Sequence, residues 1–226
     1  MEYANNKIKV MSYNIHSGKD LFMLPSLDKI IYFMKEEDCQ IIGIQEINEN
    51  NRRGYQVSRL EQRLKMNSAF APNVKIGDGY YGLGIFTPYK IIHTNHIPLP
   101  SIKEQRALLD VTLLVNHQRL HVMNAHLGLS RGEREKQIEK IQKYIRSIEE
   151  PFLFMGDLNT SVTEWSSHQM IDVGKACQQE HMSTLLCYNK RIDYIFVSKS
   201  IKILNYQVIP VRMSDHYPII AEILVQ

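Results

Sequence analysis

Cysteine is scarce in this chain, with three in 226 residues, and Cys39, Cys177 and Cys187 form no CxxC pair and no metal-type spacing. That argues against a disulfide framework and a thiolate zinc site, and an odd, sparse set suits a reducing compartment. No apolar run approaches the roughly 18 residues of a membrane span. The N-terminal stretch "MEYANNKIKVMSYN" lacks the basic region and apolar core of a signal peptide, so a cytoplasmic protein without a membrane segment is the expectation. Charge of one sign is also lacking. A formal net charge of +3 permits contact with phosphates but does not announce a nucleic-acid binder. Low-complexity linkers and repeats are absent as well.

What remains is ordinary globular composition, 44% hydrophobic and 23% charged, enough for a sizeable core and read here as one domain over 1–226. Short β-branched runs predict strands at Ile8–Tyr13, Ile41–Gln45, Gly82–Phe86, Leu108–Val115, Leu120–Ala125, Phe152–Met155, Asp193–Val197, Tyr206–Val211 and Ile219–Val225. Helical spacing predicts Leu27–Glu37 capped by Ser26, Gln56–Met66, and Arg131–Ile148, where Ser130 and Glu133 stand at capping-box spacing. "ALLDVTLLVNHQRLHVMNAHL" reads as an antiparallel hairpin turning at Asn116–Gln118, while helices separate other strands. That mixture argues against a purely parallel sheet and for two packed sheets with helices outside.

The informative residues follow the apolar runs. "KVMSYN" ends in Asn14, "IIGIQE" in Glu46 and "HVMNAH" in His126. "FLFMGDLNT" delivers Asp157 and Asn159 after Gly156, which reads as the end of its strand. "RID" opens a strand with Asp193, and "MSDH" precedes the last strand with Asp215 and His216. Each alone fits a turn. Together they describe strand ends converging on one rim, where several carboxylates repel one another unless a cation or an imidazolium compensates. Carboxylates and amides without cysteine select a hard cation, Mg²⁺ or Mn²⁺, and suit phosphoryl chemistry.

The ordered set "SYN…IQE…NAHL…GDLN…RIDYIFVS…SDHYPI" resembles the endonuclease/exonuclease/phosphatase superfamily of DNase I-like metal-dependent phosphoesterases, from about residue 8 to the C-terminus. The resemblance implies an α+β fold, a four-layer α/β/β/α sandwich with its site at one rim. It implies that Glu46 binds the metal beside Asn14 and Asp215, and that Asp157 and Asn159 orient or deprotonate the attacking water. His216 would touch the scissile phosphate with Asp193 behind it, and His126 would stand on the other side. The general base stays open, and an Asp157 near a cation is expected to keep a low pKa. The implied activity is Mg²⁺- or Mn²⁺-dependent phosphodiester hydrolysis by a monomer. Its substrate is nucleic acid or, alternatively, a small phosphorylated metabolite or phospholipid head group. No apolar hairpin of the kind that enters a membrane stands out, which argues against a secreted sphingomyelinase.

Other residues have two readings. Arg106 in "EQRALL" contacts a substrate phosphate or forms a structural ion pair, and His16 in "NIHSGKD" contacts substrate or lies in a plain loop. The five basic residues of 52–65 form a substrate-facing patch or a solvated helix face. Arg131 and Arg134 oppose the dipole at their helix start, a hint that they serve an anion. Tyr80 and Tyr81 stack on a base or pack at a loop edge.

Overall fold

Two twisted sheets lie face to face in the computed structural model, which describes residues 7–161 and 169–225. The first is built around β1 (Lys7–Asn14) and β2 (Ile41–Asn50), which pair in parallel, with α1 (Leu27–Glu37) as the crossover. A two-residue β3 (Gly54–Tyr55) and α2 (Gln56–Leu64) follow, then β4 (Asn67–Ile76) and β5 (Gly79–Thr87). With β12 (Ile201–Val208) and β13 (Ile219–Val225) the order is β12-β13-β1-β2-β5-β4, β3 pairing with β2. The second sheet contains β6 (Lys90–Pro98), β7 (Ala107–Val115), β8 (Gln118–His126), β9 (Phe152–Asp157), β10 (Met170–Asp172) and β11 (Asp193–Ser198). Its order is β10-β11-β9-β8-β7-β6. The helix α3 (Arg131–Ile145) joins β8 to β9, and the short α4 (Val173–Ala176) follows β10.

Three apolar clusters define four layers. Between the sheets Val10, Leu83, Val111, Val122, Leu153, Ile195 and Ile223 are buried. Ile30, Ile31 and Met34 of α1 with Val57 and Leu60 of α2 cover the outer face of the first sheet. Ile138, Ile141 and Ile145 of α3 cover the second, against Met123 and Phe154. The α/β/β/α sandwich is thus the one expected. The hairpin between β7 and β8 turns on Asn116 and His117 with φ of 48° and 68°, the two left-handed residues a tight primed turn requires.

Several local expectations need correction. Strands β4 and β6 lie at sheet edges and were missed because edges bury little: β6 alternates among mostly exposed residues, and β4 carries Pro72 beside a register shift. The expected Tyr206–Val211 strand begins earlier, at Ile201, and ends at Val208. Helix α3 stops at Ile145. Neither serine caps its helix: Ser26 Oγ donates to Met213 O at 2.6 Å, and Glu133 Oε1 accepts from Ile102 N and Gln137 Nε2. The strand of "FLFMGD" does not end at Gly156 but continues through Asp157. Gly156 has φ 148°, and a Cβ there would lie 1.9 Å from Ala125 O, so the close parallel pairing of β8 with β9 demands glycine.

A buried polar tie holds the sheets together near the rim. Gln45 Nε2 donates to Asn124 Oδ1 at 2.7 Å and to Ser12 Oγ at 3.2 Å. Asn124 Nδ2 in turn donates to Ile44 O at 2.9 Å and Gly84 O at 3.0 Å. All three side chains are fully buried, so each donor is committed to fixing one sheet on the other.

Candidate active site

Strand register lays out the second sheet's share of the site. His126 pairs with Asp157 across the parallel β8–β9 ladder, and Asp157 pairs with Asp193 across the antiparallel β9–β11 ladder. Three neighbouring strands thereby present His126, Asp157 and Asp193 in a row. From the first sheet, Asn14 closes β1, and Glu46 occupies a bulge where β2 slips against β5 between Gln45 and Ile47. Glu46 adopts φ 60°, a left-handed conformation that re-aims its side chain out of the strand alternation. Asp215 and His216 come from the segment entering β13.

The two halves meet through hydrogen bonds. Asn14 Nδ2 lies 3.0 Å from Asp157 Oδ2 and 3.2 Å from Glu46 Oε1. Asn159 N donates to Asp157 Oδ1 at 3.0 Å, and Asn159 Nδ2 donates to Leu127 O at 2.9 Å. Leu158 between them turns into the α3-side cluster. Ser214 Oγ is 2.8 Å from Asn14 O and 3.1 Å from Asp215 Oδ1, which fixes the Asp215 segment to the end of β1.

The histidines carry opposite protonation. Arg106 Nη1 is 2.8 Å from His126 Nδ1. A guanidinium only donates, so Nδ1 accepts and the ring proton sits on Nε2, 3.4 Å from Asp157 Oδ2. Burial, with Arg106 and His216 nearby, holds the His126 pKa well below the usual range. His216 is the reverse. Burial opposes its charge, but Asp193 and Asp157 outweigh it and raise the pKa to about 10. His216 Nδ1 is 2.9 Å from Asp193 Oδ2, and its Nε2 is 3.6 Å from Asp157 Oδ2. Burial, then Asp193, also raises Asp157, against His216 and the bonds from Asn159 and Asn14.

A cleft of about 570 Å³ opens over these groups, lined by Glu46, Arg106, His126, Asp157, Asn159, Asp215 and His216. Ser17 lines it rather than His16, whose Nδ1 lies 3.7 Å from Asp215 Oδ1. Arg106 reaches the cleft while also lying 3.0 Å from Glu104 Oε1. Of the basic 52–65 segment Arg53 reaches the cleft, whereas Arg59 pairs with Asp28 at 2.6 Å. Tyr81 lines the cleft and Tyr80 is exposed. Arg131 pairs with Glu135, and Arg134 bonds the carbonyls of Gly128 and Leu129 beside a neighbouring groove that shares Asn159. Sequence reasoning missed Glu104, Gln45 and Asn124. An asparagine inside the apolar run "HVMNA" was the available signal for the last.

The donor set suits a hard cation: Glu46, Asp157 and Asp215 supply carboxylates and Asn14 and Asn159 amides, with no thiol among the lining residues. Asp157, Asp193 and His216 also form a tight group that could hold a metal, with ligand atoms within 4.8 Å of one another. Asp193 Oδ1 there is buried without a hydrogen-bond partner among the described residues.

Residues 11–216 match the Endonuclease/Exonuclease/phosphatase family. The chain belongs to that family. Its members are phosphoester hydrolases, typically dependent on a divalent metal. The chain is 26% identical over 167 residues to the uncharacterized protein YbhP of Escherichia coli K12, covering 67% of this chain and 66% of that one. Among solved structures it is similar to Danio rerio TDP2 complexed with a single-strand DNA product, with a TM-score of 0.80, 20% identity, and coverage of 97% of this chain and 99% of that one. It is also similar to a mannosyl-6-phosphatase of Bacteroides thetaiotaomicron, with a TM-score of 0.79, 17% identity, and coverage of 96% and 99%. At such identities the likeness shows the fold. Among the described residues no helix is long and apolar enough to cross a membrane.

Proposed function

We propose that this family member hydrolyses phosphodiesters with the help of Mg²⁺ or Mn²⁺. The observation that carries the reading is Asp157, buried between a neutral His126 and a cationic His216 and joined by Asn14 to Glu46. Glu46, Asn14 and Asp215 would hold the cation, which when bound would neutralise non-bridging phosphate oxygens. Asp157 and Asn159 orient the attacking water, and Asp157, held in place by Asn14 Nδ2 and Asn159 N, accepts its proton. His216, kept charged by Asp193, faces the negative charge that builds on the phosphorane-like transition state. His126 offers Nε2–H to a phosphate oxygen, with Arg106 behind it fixing the tautomer.

For substrate, a nucleic-acid strand is the first reading. It is supported by the likeness to a TDP2 bound to single-strand DNA and by a modest positive charge. A phospholipid head group is the second, favoured by four consecutive exposed apolar residues, Leu21–Leu24, in the loop that follows the cleft-lining Ser17. Single-stranded DNA, RNA, supercoiled plasmid, phospholipid vesicles and p-nitrophenyl phosphate, each with Mg²⁺, Mn²⁺ or EDTA, separate the readings. Metal-dependent cleavage of diesters well above the monoester is expected. Preference for the monoester would replace the diesterase reading with a phosphatase.

A further inference from the structure

Residues 19–25 leave the catalytic rim as a closed loop. Ser17 lines the cleft and its carbonyl accepts from Gln56 Nε2 at 2.7 Å, so the loop springs from an anchored base. Lys19 and Pro25 bridge its neck, and Ser26 N donates to Gly18 O at 2.8 Å. Inside, Asp20 Oδ1 accepts from Phe22 N and Leu24 N, both at 2.9 Å. Asp20 N donates to Leu24 O, and Met23 N to Asp20 O. With the N–H groups of Asp20, Phe22, Met23 and Leu24 bonded inside it, the loop shows solvent its side chains. Leu21, Phe22, Met23 and Leu24 are 38%, 80%, 54% and 59% exposed.

Single exposed apolar residues are ordinary, but a contiguous run held outward by a fixed backbone marks a contact surface. Four side chains at a loop tip are far short of the roughly 800 Å² per partner of a stable protein interface. A bilayer asks for no matching shape and accepts a small apolar wedge flanked by cations. The flanks supply them: Lys19 at the neck, Lys29 exposed in the first turn of α1, and exposed Arg53, whose carbonyl shares Gln56 Nε2 with that of Ser17. The acids of the loop and the start of α1 are engaged, Asp28 by Arg59 and Asp20 by the loop's own N–H groups.

We infer that the 20–25 loop docks the protein on an anionic phospholipid bilayer and seats the cleft over head-group phosphodiesters. The inference rests on the lipid reading of the proposed function. Its test is cosedimentation of the full chain and of a Phe22→Asp/Met23→Asp double variant with phosphatidylcholine vesicles, with and without phosphatidylglycerol. Hydrolysis of soluble bis-p-nitrophenyl phosphate with Mg²⁺, thermal unfolding and single-stranded DNA binding are measured alongside. The unaltered protein is expected to pellet with anionic vesicles. Binding should fall at least ~10-fold with neutral vesicles or in the double variant, with soluble-diester hydrolysis and Tm unchanged. No binding of the unaltered protein to anionic vesicles overturns the inference, as does a double variant that binds equally well. Loss of single-stranded DNA affinity in the double variant without any vesicle binding assigns the loop to nucleic acid and overturns it too. Vesicle binding that the double variant loses, in a protein that hydrolyses no diester, keeps the docking loop and removes the diesterase reading instead.

Discussion

Asp157 Oδ2 lies 3.4 Å from His126 Nε2 and 3.6 Å from His216 Nε2, so one buried carboxylate serves a neutral imidazole and an imidazolium. The difference between the rings comes from what stands behind each. Arg106 donates to the far nitrogen of His126, and Asp193 accepts from the far nitrogen of His216. A donor behind one ring and an acceptor behind the other set their protonation apart.

Replacing Arg106 by methionine keeps much of the stem and removes the donor. Burial still holds His126 down, but the guanidinium's share is lost, so its pKa rises. We expect kcat/KM at neutral pH to fall roughly 10²-fold, with its acid limb moved to higher pH and Arg106→Lys recovering part of the loss. A pH–rate profile whose acid limb stays in place would contradict the positioning role.

The same centre makes a stability prediction. Asp157 has a folded pKa above its unfolded value of about 3.9, so the native state binds more protons and stability falls as pH rises from that value through the raised folded one. In EDTA, Asp157→Asn should therefore gain on the unaltered protein across that window. His216 also has a raised pKa, about 10. Its contribution is complete below an unfolded value of about 6.5 and is lost toward pH 10, an effect Asp193→Asn should flatten. Urea unfolding from pH 4 to 10 measures both, and a variant that loses stability uniformly with pH would refute the assignment.

Glu46 is the residue on which the cation site turns. Glu46→Gln should raise the half-saturating Mg²⁺ concentration at least ~10-fold, read by calorimetry or thermal shift. Unchanged Mg²⁺ affinity, coupled with its loss in Asp193→Asn, would move the cation to the Asp157–Asp193–His216 group.

The sheet-to-sheet tie can be cut alone. Asn124→Ala removes one of the two acceptors of Gln45 Nε2, which keeps Ser12 Oγ, and removes the donor to the carbonyls of Ile44 and Gly84. At about 1–3 kcal/mol for an unsatisfied buried group, the expected cost is about 1–3 kcal/mol in denaturant unfolding. A loss under about 0.5 kcal/mol would show that the tie is not needed.

Residues that end strands were the readable ones, because a polar side chain after an apolar run is visible without knowing the partners. Asn14, Glu46, His126, Asp157 and Asn159 follow apolar runs in this way, although β2 continues past Glu46 to Asn50, while Asp193, Asp215 and His216 stand where strands begin. The central strands and both long helices were legible through apolar periodicity. Strands β4 and β6 were not, since edge strands bury too little to impose a pattern on the sequence. The left-handed bulge at Glu46 leaves no trace, because glutamate there breaks the usual preference for glycine or asparagine. Arg106 could not be resolved between substrate contact and ion pair, since its partner His126 lies on the neighbouring strand and only register joins them. The serine caps failed because tertiary partners outcompeted the local helix bond for Ser26 and Glu133.

The central claim is that Asp157 and His216 drive metal-dependent diester hydrolysis. Its most direct measurement is the single-turnover hydrolysis of bis-p-nitrophenyl phosphate by the unaltered protein, Asp157→Asn and His216→Ala, with Mg²⁺ and with EDTA. Hydrolysis abolished by EDTA and reduced at least ~10³-fold in each variant is the predicted result. Hydrolysis that persists in EDTA and survives both substitutions would contradict it.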